Sequence, residues 1–189
     1  HFEAELVLEV FEENPFLSNF YADRARYAFQ TQIFFLLSRY HQQRRNIGDR
    51  LSQVKALISD YTFEKDRLFA QINLHGDELD MYYKVQEALA EKILAPDLVV
   101  YLRASTDILM KRIAMRDRPY ERQMDREYID LVNRTYDSFY FNSPHLTNVL
   151  TIETDTLNFV EHPEDLEFIC NRIREELQLA PYQPKLPIQ

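Results

Sequence analysis

Four short apolar runs rich in β-branched residues recur along this chain: Leu6-Val7-Leu8, Val54 to Ser59, Leu98 to Leu102 and Val149 to Ile152. Runs of this length and make-up suit strands buried on both faces of a parallel sheet, where no polar alternation is needed. The segments between them carry helical spacing. Ala25 to Arg45 holds Phe29, Ile33, Phe34, Leu36, Leu37 and Tyr40, and Asp77 to Leu94 sets Leu79, Tyr82, Tyr83, Val85, Leu89 and Ile93 on broad apolar faces. Thr106 to Arg116, Arg126 to Tyr140 and Pro163 to Leu177 continue the pattern, with Thr106 and Asp107 as helix-start residues. Strand and helix alternating in this way predict a doubly wound α/β fold. With no internal repeat and no linker, one domain is expected over residues 1–179, followed by a proline-rich extended tail at 180–189.

Composition narrows the partners. The 189 residues carry a net charge of -9, which argues against a duplex nucleic-acid binder, because such a protein needs a basic face to release counterions. An anionic small substrate stays compatible with that charge, since a few placed arginines make a local positive pocket. Cys170 is the single cysteine, so no internal disulfide forms and a reducing compartment is expected. No apolar run reaches membrane-spanning length and the opening residues lack the form of a signal peptide; the expectation is a cytoplasmic protein.

There are only 2 glycines, Gly48 and Gly76. Phosphate-binding loops need glycine for close backbone approach and positive φ. Neither glycine stands in a G-x-x-x-x-G-K-[ST] or G-x-G-x-x-G context, so these residues contain no phosphate loop of either common kind.

Ligands of open parallel sheets bind beyond the carboxyl ends of the strands. The residues that follow the four runs are Glu9, Asp60, Arg103, and the pair Glu153 and Asp155. A rim of carboxylates can serve as base, sugar clamp or magnesium site, or merely cap helices and face water; the residues alone leave both readings open. The arginines of R-I-A-M-R-D-R are sharper. Arg112 and Arg116 are spaced i,i+4 on one helix face, with Arg118 just beyond and Pro119 breaking the helix. Guanidinium forks suit phosphate, and a mobile lid of this kind closes on a triphosphate. The alternative is a solvated basic face paired with Asp117 and Glu121.

Several segments in one order carry a resemblance. Glu9 to Tyr21 (E-V-F-E-E-N-P-F-L-S-N-F-Y), Tyr27 to Arg39 (Y-A-F-Q-T-Q-I-F-F-L-L-S-R), Ser59 to Ala70 (S-D-Y-T-F-E-K-D-R-L-F-A), Pro96 to Leu102 and the lid at about 112–126 resemble the deoxynucleoside kinases, closest to the bacterial deoxyadenosine/deoxyguanosine branch. The resemblance implies a P-loop kinase-like, three-layer, doubly wound parallel sheet. It implies transfer of the γ-phosphoryl of ATP, with Mg2+, to the 5′-hydroxyl of a deoxynucleoside, a purine by similarity to that branch.

Residue by residue, it makes Glu9 the general base on the 5′-hydroxyl. Tyr21 and Glu121 become the pair on the sugar 3′-hydroxyl, Gln32 the amide reading the base edge, Phe69 the ring stacked beneath the base, and Arg39 a residue lining the base pocket. Arg112, Arg116 and Arg118 become the lid arginines that stabilise the transferring phosphoryl, and the loop from Asp155 through Thr156 and Leu157 to Phe159 packs on the ATP adenine. Asp60 stands as the acidic residue near magnesium. A homodimer, or a heterodimer with a paralogue, is implied through the Tyr27–Tyr40 and Asp77–Leu94 helices.

Three departures accompany the resemblance. Ser59-Asp60-Tyr61 stands where many members carry an acid followed by arginine, and Lys65-Asp66 replaces the aspartate expected to read the base. The family also begins with a central strand and a phosphate loop, whereas His1-Phe2-Glu3 picks up near the end of the helix that follows them. The expectation is that the native protein contains that segment and that these residues omit it. Two alternative functions are a thymidylate-type nucleoside monophosphate kinase and a non-catalytic nucleoside-binding partner subunit.

Overall fold

A computed structural model of the chain describes residues 2–9, 13–142 and 148–181, without the side chains at 45, 46, 48 and 49. The elements run β1 (Glu5–Val7), α1 (Leu17–Ala22), α2 (Arg24–Leu51), β2 (Leu57–Ser59), α3 (Lys65–Asn73), α4 (Gly76–Ala90), β3 (Val99–Arg103), α5 (Thr106–Arg116), α6 (Arg126–Asn142), β4 (Val149–Glu153) and α7 (Pro163–Glu176), with a 3-10 turn at Pro119–Glu121. Most of the proline-rich tail (182–189) and Val10 to Glu12 lie outside the described residues.

The strands pair in parallel, as alternation with helices requires. Leu6 stands opposite Ile58 in the β1–β2 pair, and Tyr101 opposite Thr151 in the β3–β4 pair. No ladder joins the two pairs among the described residues. The β3–β4 pair is covered on both faces. Tyr101 stacks on Tyr136 and Tyr140 of α6 on one side, while Leu150 and Ile152 bury against Ile169 of α7 on the other. That is the three-layer arrangement expected. The β1–β2 pair departs from the expectation of burial on both faces: Val7 is buried, but Leu6 is 58% and Ile58 42% exposed on the opposite side. The main core gathers Phe20, Leu36, Phe63, Leu74, Tyr82 and Tyr128, and so ties α1, α2, α4 and α6 around the segment that carries α3.

Boundaries moved for identifiable reasons. The second strand begins at Leu57 and not at Val54, because the N–H groups of Gln53 and Val54 still donate to the Arg50 carbonyl as α2 unwinds. Helix α2 starts where Asp23 accepts from the Arg26 N–H at 3.3 Å, and it runs on to Leu51, six residues beyond the apolar pattern. Ser105 occupies the N-cap position of α5, so Thr106 and Asp107 fall in its first turn. Short, polar α1 and α3 have no apolar stripe long enough to announce them; packing decides them. Gly76 opens α4 at φ +56°, with open space where a Cβ would stand. Gly76→Ala is therefore expected to cost roughly 1–2 kcal/mol from backbone strain alone. Thermal unfolding should read this as a Tm lower by roughly 2–8 °C.

Candidate active site

The carboxyl ends of β1 and β2 lie side by side, and the loops leaving them are tied together. The Glu9 N–H donates to Asp60 Oδ1 at 2.8 Å, which fixes the backbone from which the Glu9 side chain projects. Arg39, reaching in from the middle of α2, donates through Nε to Glu9 Oε1 at 2.6 Å. Its Nη1 pairs with Asp66 at the start of α3, so one guanidinium bridges two carboxylates. Arg39 and Asp66 are both buried, and Asp66 Oδ2 has no hydrogen-bond partner among the described residues. Lys65 Nζ approaches the other Glu9 oxygen, Oε2, at 3.8 Å. Burial, then the Arg39 charge, holds the Lys65 ammonium below its usual range, while Glu9 and Asp60 pull it back up. The Tyr61 ring lies 5.8 Å from the Arg39 guanidinium, with its buried hydroxyl unpartnered among the described residues. Burial pushes that phenol up to about 12.

Gln32 stands two helical turns before Arg39 and is buried on the same face of α2. Its side chain makes no hydrogen bond among the described residues. Phe69, half-buried one turn after Lys65, meets Tyr136 of α6 edge-on at 6.0 Å. The sequence reads Lys65-Asp66 as replacing the aspartate expected at the base; in the structure Asp66 is buried and salt-bridged to Arg39.

A second cluster forms where α5 ends. Asp117, at φ 48°, terminates the helix and turns the chain so that Arg116 and Arg118 converge on Glu121. Arg116 donates to Glu121 Oε2 through Nε (3.1 Å) and Nη2 (2.7 Å), and Arg118 Nη1 lies 3.6 Å from Oε1. Glu121 is only 5% exposed. Tyr21 of α1 stacks on Tyr120 at 5.6 Å, and burial holds its phenol well above the usual range, with Tyr128 and Glu121 adding to the effect.

Arg112 faces elsewhere. Its guanidinium donates to Thr154 Oγ1 (2.9 Å), to the Thr154 carbonyl (2.6 Å) and to the Leu157 carbonyl (3.1 Å), and lies 5.7 Å from the centre of the Phe159 ring. The three arginines expected to form a lid thus separate into Arg116 and Arg118 on Glu121, and Arg112 on the 154–159 loop. Within that loop Asp155 Oδ1 accepts from the Ser105 N–H at 2.7 Å, which keeps its carboxyl below the ordinary value. Thr156 is exposed and Leu157 packs into the α7 core. The sequence passed over Thr154, which is fully buried. The signal was strand alternation: Leu150, Ile152 and Thr154 share a face, and Glu153 and Asp155 take the other. Arg103 and Glu153, read as rim charges, neutralise one another, with Asp137 of α6 completing the group (Nε to Oδ1, 2.8 Å; Nη1 to Glu153 Oε1, 3.0 Å).

Parallel strands alternating with helices, with a charged site at the carboxyl ends of β1 and β2, make a doubly wound α/β fold of the kind that nucleotide kinases use, and solved structures agree. The deoxyadenosine kinase of M. mycoides, solved with its products dCMP and dCDP, superposes with a TM-score of 0.77 at 25% identity, over 91% of this chain and 86% of that one. The model of the deoxynucleoside kinase family matches residues 1–178. The chain belongs to the deoxynucleoside kinase family. A deoxyguanosine kinase of Bacillus subtilis is 30% identical over 90% of this chain and 84% of its own length. A deoxyadenosine kinase of Dictyostelium discoideum is 32% identical over 67% of this chain and 52% of its own. No helix among the described residues is long and apolar enough to cross a membrane.

Proposed function

We propose that this protein transfers the γ-phosphoryl of ATP to the 5′-hydroxyl of a purine deoxynucleoside. The observation that carries the reading is Glu9: a carboxylate at the end of β1, its backbone held by Asp60 and its oxygens faced by Arg39 and Lys65. A primary hydroxyl is a poor nucleophile, and a fixed carboxylate both orients it and accepts its proton. The Arg39 hydrogen bond fixes the orientation of that carboxylate before the hydroxyl arrives. Tyr21 and Glu121 hold the sugar 3′-hydroxyl. Gln32 and the Asp66 oxygen that has no partner among the described residues read the base, the amide offering donor and acceptor and the carboxylate seeking an amino or imino proton. Phe69 supplies the ring beneath the base.

Arg116 and Arg118 counter the charge on the transferring phosphoryl, and their pairing with Glu121 couples acceptor binding to the lid. Arg112 shapes the loop of Asp155, Thr156 and Leu157 against the ATP adenine. Magnesium binds through one or two protein carboxylates plus substrate phosphates and water, rather than in an all-protein cage. No cluster of three metal-ligating side chains occurs among the described residues. The exposed carboxylate of Asp60 beside Glu9 fits the sparser mode; a bound magnesium supplies charge neutralisation at the phosphates. The proposed dimer uses α2 and α4, where Leu37 and Met81 are exposed.

The deciding experiment incubates the full-length protein with ATP, magnesium and each deoxynucleoside or its monophosphate. Phosphorylation of deoxyguanosine or deoxyadenosine is expected. Transfer to monophosphates alone favours a thymidylate-type kinase, and binding of nucleosides without transfer favours a non-catalytic partner subunit. Arg112→Ala should raise the KM for ATP roughly 10-fold, for the loss of its loop hydrogen bonds, with the nucleoside KM unchanged. Steady-state kinetics varying each substrate in turn checks it.

A further inference from the structure

Four charged side chains meet where β1, α2 and α3 converge: Glu9, Arg39, Lys65 and Asp66. Their formal charges cancel. Arg39 bridges both carboxylates closely and is almost fully buried, with a side-chain exposure of 6%. Lys65 differs from it in both respects. Its ammonium stands 3.8 Å from Glu9 Oε2, beyond hydrogen-bond range, and its side chain is 22% exposed. A flexible four-carbon stem makes it the mobile member of the set. Asp60 is the other acid acting on it, and Phe69 offers only a ring face 5.9 Å away.

The charge balance changes during the reaction proposed above, on which this inference rests. The substrate 5′-oxygen forms its bond to the γ-phosphorus of ATP. The bond from that phosphorus to the β,γ-bridging oxygen breaks, and its electron pair leaves with ADP. The hydroxyl proton passes to Glu9. Glu9 is then neutral, Arg39 still holds Asp66, and Lys65 has lost its ion-pair partner and keeps only the weaker pull of Asp60. At the same moment a phosphate forms on the oxygen that Glu9 has deprotonated, beside the ammonium left over. In this buried setting the pairing of the two is stronger than in water. We infer that Lys65 is a catalytic residue that passes from Glu9 to the transferring phosphoryl group and then holds the monophosphate product.

The test compares Lys65→Met and Lys65→Arg with the wild-type full-length protein. Calorimetry reads the Kd of the deoxynucleoside and of its 5′-monophosphate, alongside steady-state rates. Lys65→Met should weaken monophosphate binding roughly 10- to 100-fold. It should lower kcat roughly 100-fold and leave nucleoside affinity unchanged. Lys65→Arg should recover most of the product affinity. Unchanged monophosphate affinity in Lys65→Met overturns the inference, and so does an equal loss for nucleoside and monophosphate, the mark of a structural role. Should Lys65→Met fail to fold, Lys65→Gln gives the same comparison. A wild-type protein that phosphorylates no deoxynucleoside overturns the functional reading itself, whereas an active wild type with an unaffected Lys65→Met overturns this inference alone.

Discussion

Glu9→Gln is expected to lower kcat roughly 10²- to 10⁴-fold, the range for loss of a positioned general base, while the nucleoside KM changes by no more than about threefold. The split follows from geometry. An amide keeps an oxygen for Arg39 and a shape for the pocket, so ground-state binding survives, but it cannot take the hydroxyl proton. The backbone N–H of residue 9 still donates to Asp60, so the loop stays in place. A coupled assay of ADP release with varied nucleoside separates the two constants. Loss expressed mainly in KM would make Glu9 a binding residue instead.

The largest stability effect is expected at Arg39. Arg39→Met removes the only cation bonded to Asp66 among the described residues, leaves that fully buried side chain unpaired there, and also strips Glu9 of its closest partner. Breaking a buried pair in this way costs roughly 3–5 kcal/mol, because it leaves an uncompensated charge in a poorly solvated place. For a chain of this size the Tm should fall by roughly 6–20 °C. The double variant Arg39→Met with Asp66→Leu should be less destabilised than Arg39→Met alone, since the orphaned charge is gone. Denaturant unfolding of wild type, both singles and the double makes the cycle. A double variant whose loss equals the sum of the singles would show that the pair is not coupled, against the observed bridge.

The alternation of strands and helices, and most helix positions, were legible because their apolar patterns are long. What failed was local. The run Val54 to Ser59 looks like one strand, yet the exit of α2 claims Val54 through a hydrogen bond to Arg50 that no residue type announces, and the strand begins only at Leu57. At the candidate site, Glu9 and the arginines at 112, 116 and 118 stand in recognisable segments, although the structure sends Arg112 to a different partner from Arg116 and Arg118. The site was illegible where charge runs conceal direction. Lys65, Asp66 and Arg67 form a polar cluster in sequence, but α3 buries Asp66 and leaves Arg67 outside. Only the start of that helix, fixed by packing, decides that Lys65 and Asp66, and not Arg67, enter the candidate site. Arg103 and Glu153 show the reverse. Both follow strands and look available, but the parallel register sets them opposite one another and their charges cancel. Thr154 was readable in principle, from the same period of two that buries Leu150 and Ile152.

Phosphoryl transfer to a deoxynucleoside 5′-oxygen at the site built on Glu9 is tested most directly by product analysis with γ-labelled ATP. The full-length protein is incubated with deoxyguanosine or deoxyadenosine, and the labelled product is separated and its phosphate position determined. The expected result is label on the 5′-monophosphate with wild type and almost none with Glu9→Gln. Label absent from every deoxynucleoside tried, or equal label with Glu9→Gln, would contradict the claim.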